Sequence, residues 1–223
     1  MRMEPWWSWG RARLAGLAAL CALVLALWPR GSGAQERATH PEHGAFTSDE
    51  RAHLTRGELV SRPHRPGTAD GWLGGVGFQV IDRPTAEVWR ALEDLDAYQY
   101  MLPGTDLTRD EGPEGGARVL YVHQAQMGIE VSYCLRLHLD AVGRRVEFEL
   151  DRDRPHDVED ARGFLELQSF HRTRTLVTWA VRATLGMGAV EPMIRGVVEP
   201  WLLRVPSTMK SYLEGQARDR YRG

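Results

Sequence analysis

Strict alternation of apolar and polar side chains over residues 129–140 constrains the fold more than any other part of the sequence. The odd positions carry isoleucine, valine, tyrosine and three leucines, whereas the even positions carry only polar residues and one cysteine. A period of two predicts a β-strand that buries one face and exposes the other to water. Strands of that kind are typical of antiparallel sheets with a core on one side.

Shorter segments of the same pattern, separated by glycine and proline, predict the other strands. These cover residues 76–82, 106–110, 118–127, 145–152, 162–171 and 173–185. Two short helices follow the first strand. One begins at Pro84, a residue favoured in the first helical turn, and the other ends at Pro103-Gly104. The glycine-rich segment 112–116 is expected to end the second strand.

A long helix is predicted over residues 191–217, where apolar side chains recur at helical spacing. Its apolar stripe must lie on the dry face of the sheet. Pro200 and Pro206 leave two alternatives open, a helix that is hinged at these points or a helix that starts later at one of them. The predicted fold class is α+β, a curved antiparallel sheet wrapped around a long C-terminal helix, which is the helix-grip arrangement.

The first 34 residues have the layout of a secretory signal peptide. Basic residues precede an uncharged apolar run over residues 14–27, and Ser32-Gly33-Ala34 supplies small residues before a cleavage point. The run is shorter than the roughly 20 residues that a spanning helix needs. We therefore expect cleavage after Ala34 and a periplasmic location, with an uncleaved membrane anchor as the alternative.

Residues 35–70 are polar and contain several prolines and histidines, which predicts a linker or a loosely attached arm. A short helix is expected inside this arm over residues 49–56, because Thr47-Ser48-Asp49-Glu50 provides a capping arrangement. A short strand is expected over residues 58–61. The folded domain is predicted over residues 71–217, and residues 218–223 are predicted to form a polar tail.

Charge and cysteine content exclude several classes of protein. The chain has 28 basic and 30 acidic residues, a net charge of −2, and removal of residues 1–34 takes away four arginines and one glutamate. A negatively charged domain without a cluster of basic residues is a poor candidate for nucleic acid binding. Because Cys134 is then the only cysteine, no intrachain disulfide can form and the domain depends on its apolar core. We expect a monomer.

The order of these elements and the segment VIDRPTAEVWRALEDLDAYQYMLPG, residues 80–104, resemble the START-like, polyketide cyclase and coenzyme Q-binding (SRPBCC) superfamily. There a strand leads into a proline-led helix with a Val-Trp pair, here Val88-Trp89, and an aromatic turn ends in Pro-Gly. The resemblance covers about residues 72–216 and implies a helix-grip fold. Because the superfamily includes lipid carriers, cyclases, hydrolases and hormone receptors, the fold alone does not select a function.

A strongly curved sheet cannot be filled by one helix, so the dry face is expected to line a cavity for an apolar ligand. The expected lining residues are Tyr121, Tyr133, Leu135, Phe148, Leu165, Trp179, Trp201, Val205 and Met209. The predicted function is an exported carrier of a hydrophobic small molecule, such as a lipid, sterol or quinone, with transient membrane contact. The alternatives are a polyketide cyclase-like enzyme that acts on an apolar or aromatic substrate, and a docking module without a ligand.

No catalytic residue, cofactor or metal site is predicted. Catalysis would need a titratable group in the cavity, and the inward rows of the clearest strands carry no acidic or basic side chain. His123 shares a strand face with Tyr121 and is the one titratable candidate for an inward position. The mixed acid and histidine loop over residues 153–160 is expected to be solvated.

Overall fold

The computed structural model describes residues 45–64, 72–126, 128–186 and 191–222, with only the backbone of Glu191 and Pro192. The predicted signal peptide lies outside these residues. The helices are α1 (Ser48–Thr55), α2 (Thr85–Glu93), α3 (Tyr98–Met101), α4 (Glu191–Leu202) and α5 (Val205–Glu214), with a 3-10 turn at Leu95–Ala97. The strands are β1 (Val60–Pro63), β2 (Leu73–Ile81), β3 (Thr105–Glu114), β4 (Ala117–Gln126), β5 (Ile129–Asp140), β6 (Arg145–Leu150), β7 (Asp160–Ser169) and β8 (Thr175–Thr184). Within the described ranges, no helix is long and apolar enough to cross a membrane.

All eight strands form one antiparallel sheet in the order β1-β2-β8-β7-β6-β5-β4-β3. Strand β5 has the bounds that its alternation predicted, and the strands from β3 to β8 pair consecutively as a meander. Strand β2 joins the sheet at β8, with Leu73 opposite Ala183. The curved sheet and the C-terminal helices confirm the predicted α+β helix-grip class.

The main core lies on the concave face of the sheet, where side chains of α2, α3 and α5 pack against the strands. Val88 of α2 is fully buried, and Leu92 of α2 and Met209 of α5 are only 1% exposed. Leu135 and Leu137, from the apolar row of β5, belong to the same core. Burial of this apolar surface stabilises the helices on the sheet by roughly 25 cal/mol per Å².

A second, smaller core covers the convex face near the β1 edge. Residues 45–64 form α1 and β1 there, and β1 pairs with β2. Thr47 and Glu50 form the expected capping box of α1, and Leu54 packs at 1% exposure with apolar residues of β2, β7 and β8. The segment predicted as a loosely attached arm therefore includes part of the folded domain, which begins before the predicted boundary at residue 71.

Strand β3 is longer than the sequence predicts. It continues through Gly112 and Pro113 to Glu114, although this glycine-rich segment was expected to end it. Register shifts on both sides of residues 107–110 mark irregular pairing with β4. The strand accepts proline and glycine because it is an edge strand, where a missing N–H need not break a ladder of hydrogen bonds.

The C-terminal helix predicted over residues 191–217 is interrupted. Helix α4 ends at Leu202 and contains Pro200, and α5 begins at Val205 with Pro206 in its first turn. Because Pro206 has no N–H, it cannot donate to the carbonyl of Leu202, four residues earlier. The prediction of a continuous helix was wrong, whereas the alternative that placed Pro206 in a first turn agrees with the structure.

Residues 218–223 were predicted to be a polar tail, and the structure corrects this. Tyr221 is 8% exposed and packs in the main core. Its hydroxyl donates to Asp94 Oδ2 at 2.7 Å, and Arg220 Nη2 donates to the same oxygen at 2.7 Å. One aromatic side chain thus anchors a segment that otherwise carries mainly charge.

Candidate ligand-binding site

An apolar space, which we call the inner cavity, lies between the concave face of the sheet and helices α2, α3 and α5. Its volume is about 30 Å³, room for about two water molecules. Its lining consists of Leu92, Tyr98, Met101, Leu102, Leu135, Leu137, Val146, Phe148, Leu165, Trp179, Val205 and Met209. Both polar side-chain groups in this set are already paired: the Tyr98 hydroxyl donates to Leu92 O at 3.0 Å, and Trp179 Nε1 donates to Leu202 O at 2.9 Å.

Six of the nine residues predicted to line a cavity lie on the inner cavity, namely Leu135, Phe148, Leu165, Trp179, Val205 and Met209. Trp201 lines a second cavity at the end of the sheet. Tyr133 packs against the main core without lining either cavity. The structure therefore brings most of the predicted set together around one space.

Phe148 and Trp179 form an aromatic wall of the inner cavity. Their rings stack with centroids 4.8 Å apart and planes 11° apart. Gly163 makes room for this wall, because a Cβ at that position would lie 2.6 Å from Phe148 Cζ. The bond from Trp179 to the Leu202 carbonyl replaces the helical donor that Pro206 cannot supply. The Trp179 indole thus lines the inner cavity and also donates a hydrogen bond to the Leu202 carbonyl at the break between α4 and α5.

The second space, which we call the mouth cavity, lies where β4, β5 and β8 meet α4. Its volume is about 50 Å³. Its lining consists of Gln124, Gln126, Ile129, Val131, Leu185, Val197, Val198 and Trp201. Two apolar side chains of α4, one helical turn apart, are exposed to water: Met193 is 82% exposed and Val197 is 44% exposed. These two side chains place exposed apolar surface beside the mouth cavity.

Tyr133 and Gln124 stand between the two cavities. On β5, Val131 lines the mouth cavity, Leu135 lines the inner cavity, and Tyr133 lies between them on the same strand face. The Tyr133 hydroxyl donates to Gln124 Oε1 at 2.7 Å, and Gln124 Nε2 donates to two oxygens of segment 103–105, each at 3.1 Å. Because burial raises the pKa of the Tyr133 hydroxyl, the group stays protonated and remains a donor.

The prediction that Tyr121 lines the cavity was wrong. Strand β4 directs its even-numbered residues into the core, so Tyr121 and His123 lie on the convex face. The Arg109 guanidinium lies 5.0 Å from the centre of the Tyr121 ring, and His123 Nε2 lies 2.9 Å from Glu130 Oε1. Among the described residues that line the two cavities, none has an acidic, basic or histidine side chain.

Contacts within the protein hold the acidic loop between β6 and β7. Asp157 Oδ2 accepts a hydrogen bond from Ser132 N at 2.8 Å, and Asp160 forms an ion pair with Arg152 at 3.0 Å. In the part of the chain that the structure describes, no three His, Cys, Asp or Glu side chains are arranged to hold a metal ion.

The sequence predicted the residues of α5 that line the inner cavity, Val205 and Met209, but not those contributed by α2, α3 and Leu102. Leu92 reaches the inner cavity from α2, Tyr98 and Met101 reach it from α3, and Leu102 follows α3. The aromatic turn was visible in the sequence, but in such short helices the spacing does not show which side chains face the sheet. Gln124 was missed because a polar residue in a strand is usually exposed, whereas this one is only 6% exposed.

No protein-family model matches the sequence, and no curated protein sequence is significantly similar to it. Solved structures share the fold. The Zhui aromatase/cyclase from Streptomyces sp. R1128 has a TM-score of 0.55 at 16% identity, covering 74% of this chain and 98% of its own. A STAR-related lipid transfer protein from Xanthomonas axonopodis has a TM-score of 0.55 at 14% identity, covering 69% and 98%. A START superfamily protein from Mycobacterium smegmatis has a TM-score of 0.54 at 11% identity, covering 71% and 98%.

These similarities confirm the fold that the resemblance of residues 80–104 implied. At such low identity they concern the path of the backbone and the arrangement of its elements. Function must therefore be argued from the cavities themselves.

Proposed function

We propose that this protein, which has a START-like fold, binds and carries a hydrophobic small molecule, such as a lipid, a sterol or a quinone. The observation that supports this proposal most directly is the inner cavity, whose lining is apolar and whose two polar side-chain groups are already paired. Such a space favours a ligand with an apolar body and excludes one with unpaired polar groups along that body. The same fold in a STAR-related lipid transfer protein adds support.

Carriage requires the site to open, because a cavity of about 30 Å³ is far too small for a lipid. Helix α4 is the element best suited to move. It contains Gly196 and Pro200, both of which weaken a helix, and it ends at the break before Val205. We infer that α4 swings away from the sheet and opens the mouth cavity, and that separation of the Tyr133–Gln124 pair then joins the mouth and inner cavities into one space.

A polyketide cyclase-like enzyme is the second candidate, because an aromatase/cyclase shares the fold. Such a reaction needs a group at the cavity that can move or hold a proton. Among the described residues around the two cavities, the titratable groups are the hydroxyls of Tyr98 and Tyr133, and burial raises both of their pKa values. Both hydroxyls already donate to acceptors of the protein, which favours carriage over catalysis.

The proposal also includes export to the periplasm, transient contact with a membrane and a monomeric state. The signal-like residues 1–34 support export, and the exposed apolar side chains Met193 and Val197 beside the mouth cavity support membrane contact. If the signal peptide is cleaved after Ala34, protein recovered from the periplasm begins at Gln35, which an intact-mass measurement tests. A mass that still includes residues 1–34 would instead indicate a membrane-anchored protein.

Two measurements test the carrier proposal. Purified protein extracted into organic solvent should release a hydrophobic molecule that mass spectrometry can identify. A fluorescent sterol should bind the delipidated protein in a saturable manner. Absence of saturable binding to the wild-type protein would overturn the proposal and favour a docking module.

Trp179→Ala should weaken sterol binding, because it removes one half of the aromatic wall. Truncation of a buried aromatic costs about 3–5 kcal/mol of stability, so a control with a comparable cost is needed. Leu54→Ala is a suitable control, since Leu54 lies in the second core on the convex face. This control variant should bind the sterol as the wild-type protein does.

A further inference from the structure

Trp201 on α4 holds a buried hydrogen-bond donor that is not used. Among the described residues, its Nε1 atom has no hydrogen-bond partner. Two other tryptophans of the core pair theirs: Trp89 Nε1 donates to Glu93 Oε1 at 2.6 Å, and Trp179 Nε1 donates to a backbone carbonyl. Because buried polar groups in native proteins are nearly always paired, the free donor of Trp201 is available to an acceptor of a ligand.

Trp201 lines the mouth cavity, so a ligand in that cavity lies beside its indole. Gly104 borders the indole edge, and a Cβ at Gly104 would lie 3.3 Å from Trp201 Nε1 and 2.8 Å from Gln126 Oε1. This point therefore has no space for a further atom, and an acceptor for Trp201 Nε1 has to enter from the mouth cavity, which Trp201 and Gln126 both line. Gln124 also lines the mouth cavity. Its side-chain amide is not available to a ligand, because it is hydrogen-bonded to Tyr133 and to segment 103–105.

The charge of the site restricts what the acceptor can be. The described lining of the inner and mouth cavities has no lysine, arginine or histidine that could neutralise an anion. Burial of a carboxylate or phosphate without a counter-charge is strongly unfavourable, whereas a neutral carbonyl or hydroxyl needs only one donor.

We propose that this protein selects neutral apolar molecules that carry a hydrogen-bond acceptor oxygen, a carbonyl, ester or hydroxyl, and that Trp201 Nε1 donates to that oxygen. Val205, four residues after Trp201 and beyond the break between α4 and α5, lines the inner cavity, so the apolar body of the ligand extends from the mouth cavity into the inner cavity. Trp201 is thus a specificity-determining residue, and this inference rests on the proposed carrier function.

Three pyrene probes with the same apolar body separate the possibilities. They are methyl pyrenedodecanoate, a neutral acceptor; pyrenedodecanoate at pH 8, an anion; and dodecylpyrene, which has no polar group. The ester should bind the delipidated protein more tightly than either of the other two. Trp201→Phe keeps an aromatic ring and removes the donor, so it should weaken ester binding about threefold to tenfold and change dodecylpyrene binding less than twofold. Trp89→Phe is the matched control and should change neither.

A second measurement does not depend on the stability of a variant. The indole N–H resonance of Trp201, assigned by its loss in Trp201→Phe, should shift when the ester binds and stay in place when dodecylpyrene binds. Equal effects of Trp201→Phe on the ester and on dodecylpyrene, an unshifted resonance, or tightest binding of the anion would each overturn the inference and leave the carrier function standing. Absence of saturable binding for all three probes would overturn the carrier function itself, and this inference with it.

Discussion

Trp179→Phe tests whether one indole donor supports the break between α4 and α5. The substitution keeps an aromatic ring against Phe148 but removes the donor that lies 2.9 Å from the Leu202 carbonyl. Pro206 cannot replace that donor, so the carbonyl loses its partner in a partly buried position. An unsatisfied buried group costs about 1–3 kcal/mol, and partial burial places the expected loss at about 1–2 kcal/mol. For a domain of this size the corresponding fall in Tm is roughly 2–8 °C.

A double-mutant cycle with Pro206→Ala isolates this bond from other effects of the smaller ring. Alanine at position 206 supplies an N–H four residues after Leu202, and we expect α4 and α5 to join so that this N–H donates to Leu202 O. Trp179→Phe should therefore cost about 1 kcal/mol less in the Pro206→Ala background than in the wild type, as measured by urea unfolding. Trp89→Phe provides a control, because its acceptor, Glu93, is exposed and can bond to water after the donor is lost. The same loss for Trp179→Phe in both backgrounds would refute the reasoning.

Three further predictions concern the second core, the convex face and the C-terminal helices. A hydrogen bond from Arg62 is the main reason that the pKa of Glu50 falls from 4.5 to about 2, so its contribution to stability is complete above pH 4.5 and is lost as the pH falls toward 2. Glu50→Gln should therefore flatten the dependence of the urea midpoint on pH in this window, and an unchanged slope would contradict the assignment. His123→Gln should leave sterol binding within about twofold of the wild type, because the side chain lies on the convex face; lost turnover of a substrate with binding retained would instead favour the cyclase. In hydrogen exchange, amides of residues 191–204 should exchange faster than those of residues 205–214 and slow down when ligand binds, whereas uniform protection unchanged by ligand would indicate a rigid cover.

The sheet could be predicted from the sequence wherever a strand has one wet and one dry face. Strand β5 has this property throughout, and its bounds agree with the prediction at both ends. Strand β4 carries apolar residues at both parities, with Leu120 and Val122 inside and Tyr121 outside. Alternation cannot show which face of such a strand is buried. The prediction assigned the odd-numbered residues of β4 to the core, and so it placed Tyr121 and His123 on the concave face instead of the convex face.

The remaining errors have a different origin, because they depend on contacts between distant segments. Residues 45–64 contain few apolar side chains, yet Phe46, Leu54 and Val60 pack in the second core, and β1 pairs with β2. Tyr221 anchors the C-terminal residues in the same way. The free donor of Trp201 could not be predicted, since a missing partner is visible only when all neighbouring groups are in place.

The pairing of β2 with β8 determines when the chain can acquire its ligand site. Strands β3 to β8 join their neighbours through short connections, but Leu73 meets Ala183 about a hundred residues later in the chain. Closing so long a loop is the slow, non-local step of folding. Helices α4 and α5 pack mainly on β2 and follow β8 in the chain. We therefore expect the two cavities and helices α4 and α5 to form together at the end of folding. A nascent chain that stops before residue 175 contains neither the cavities nor these helices.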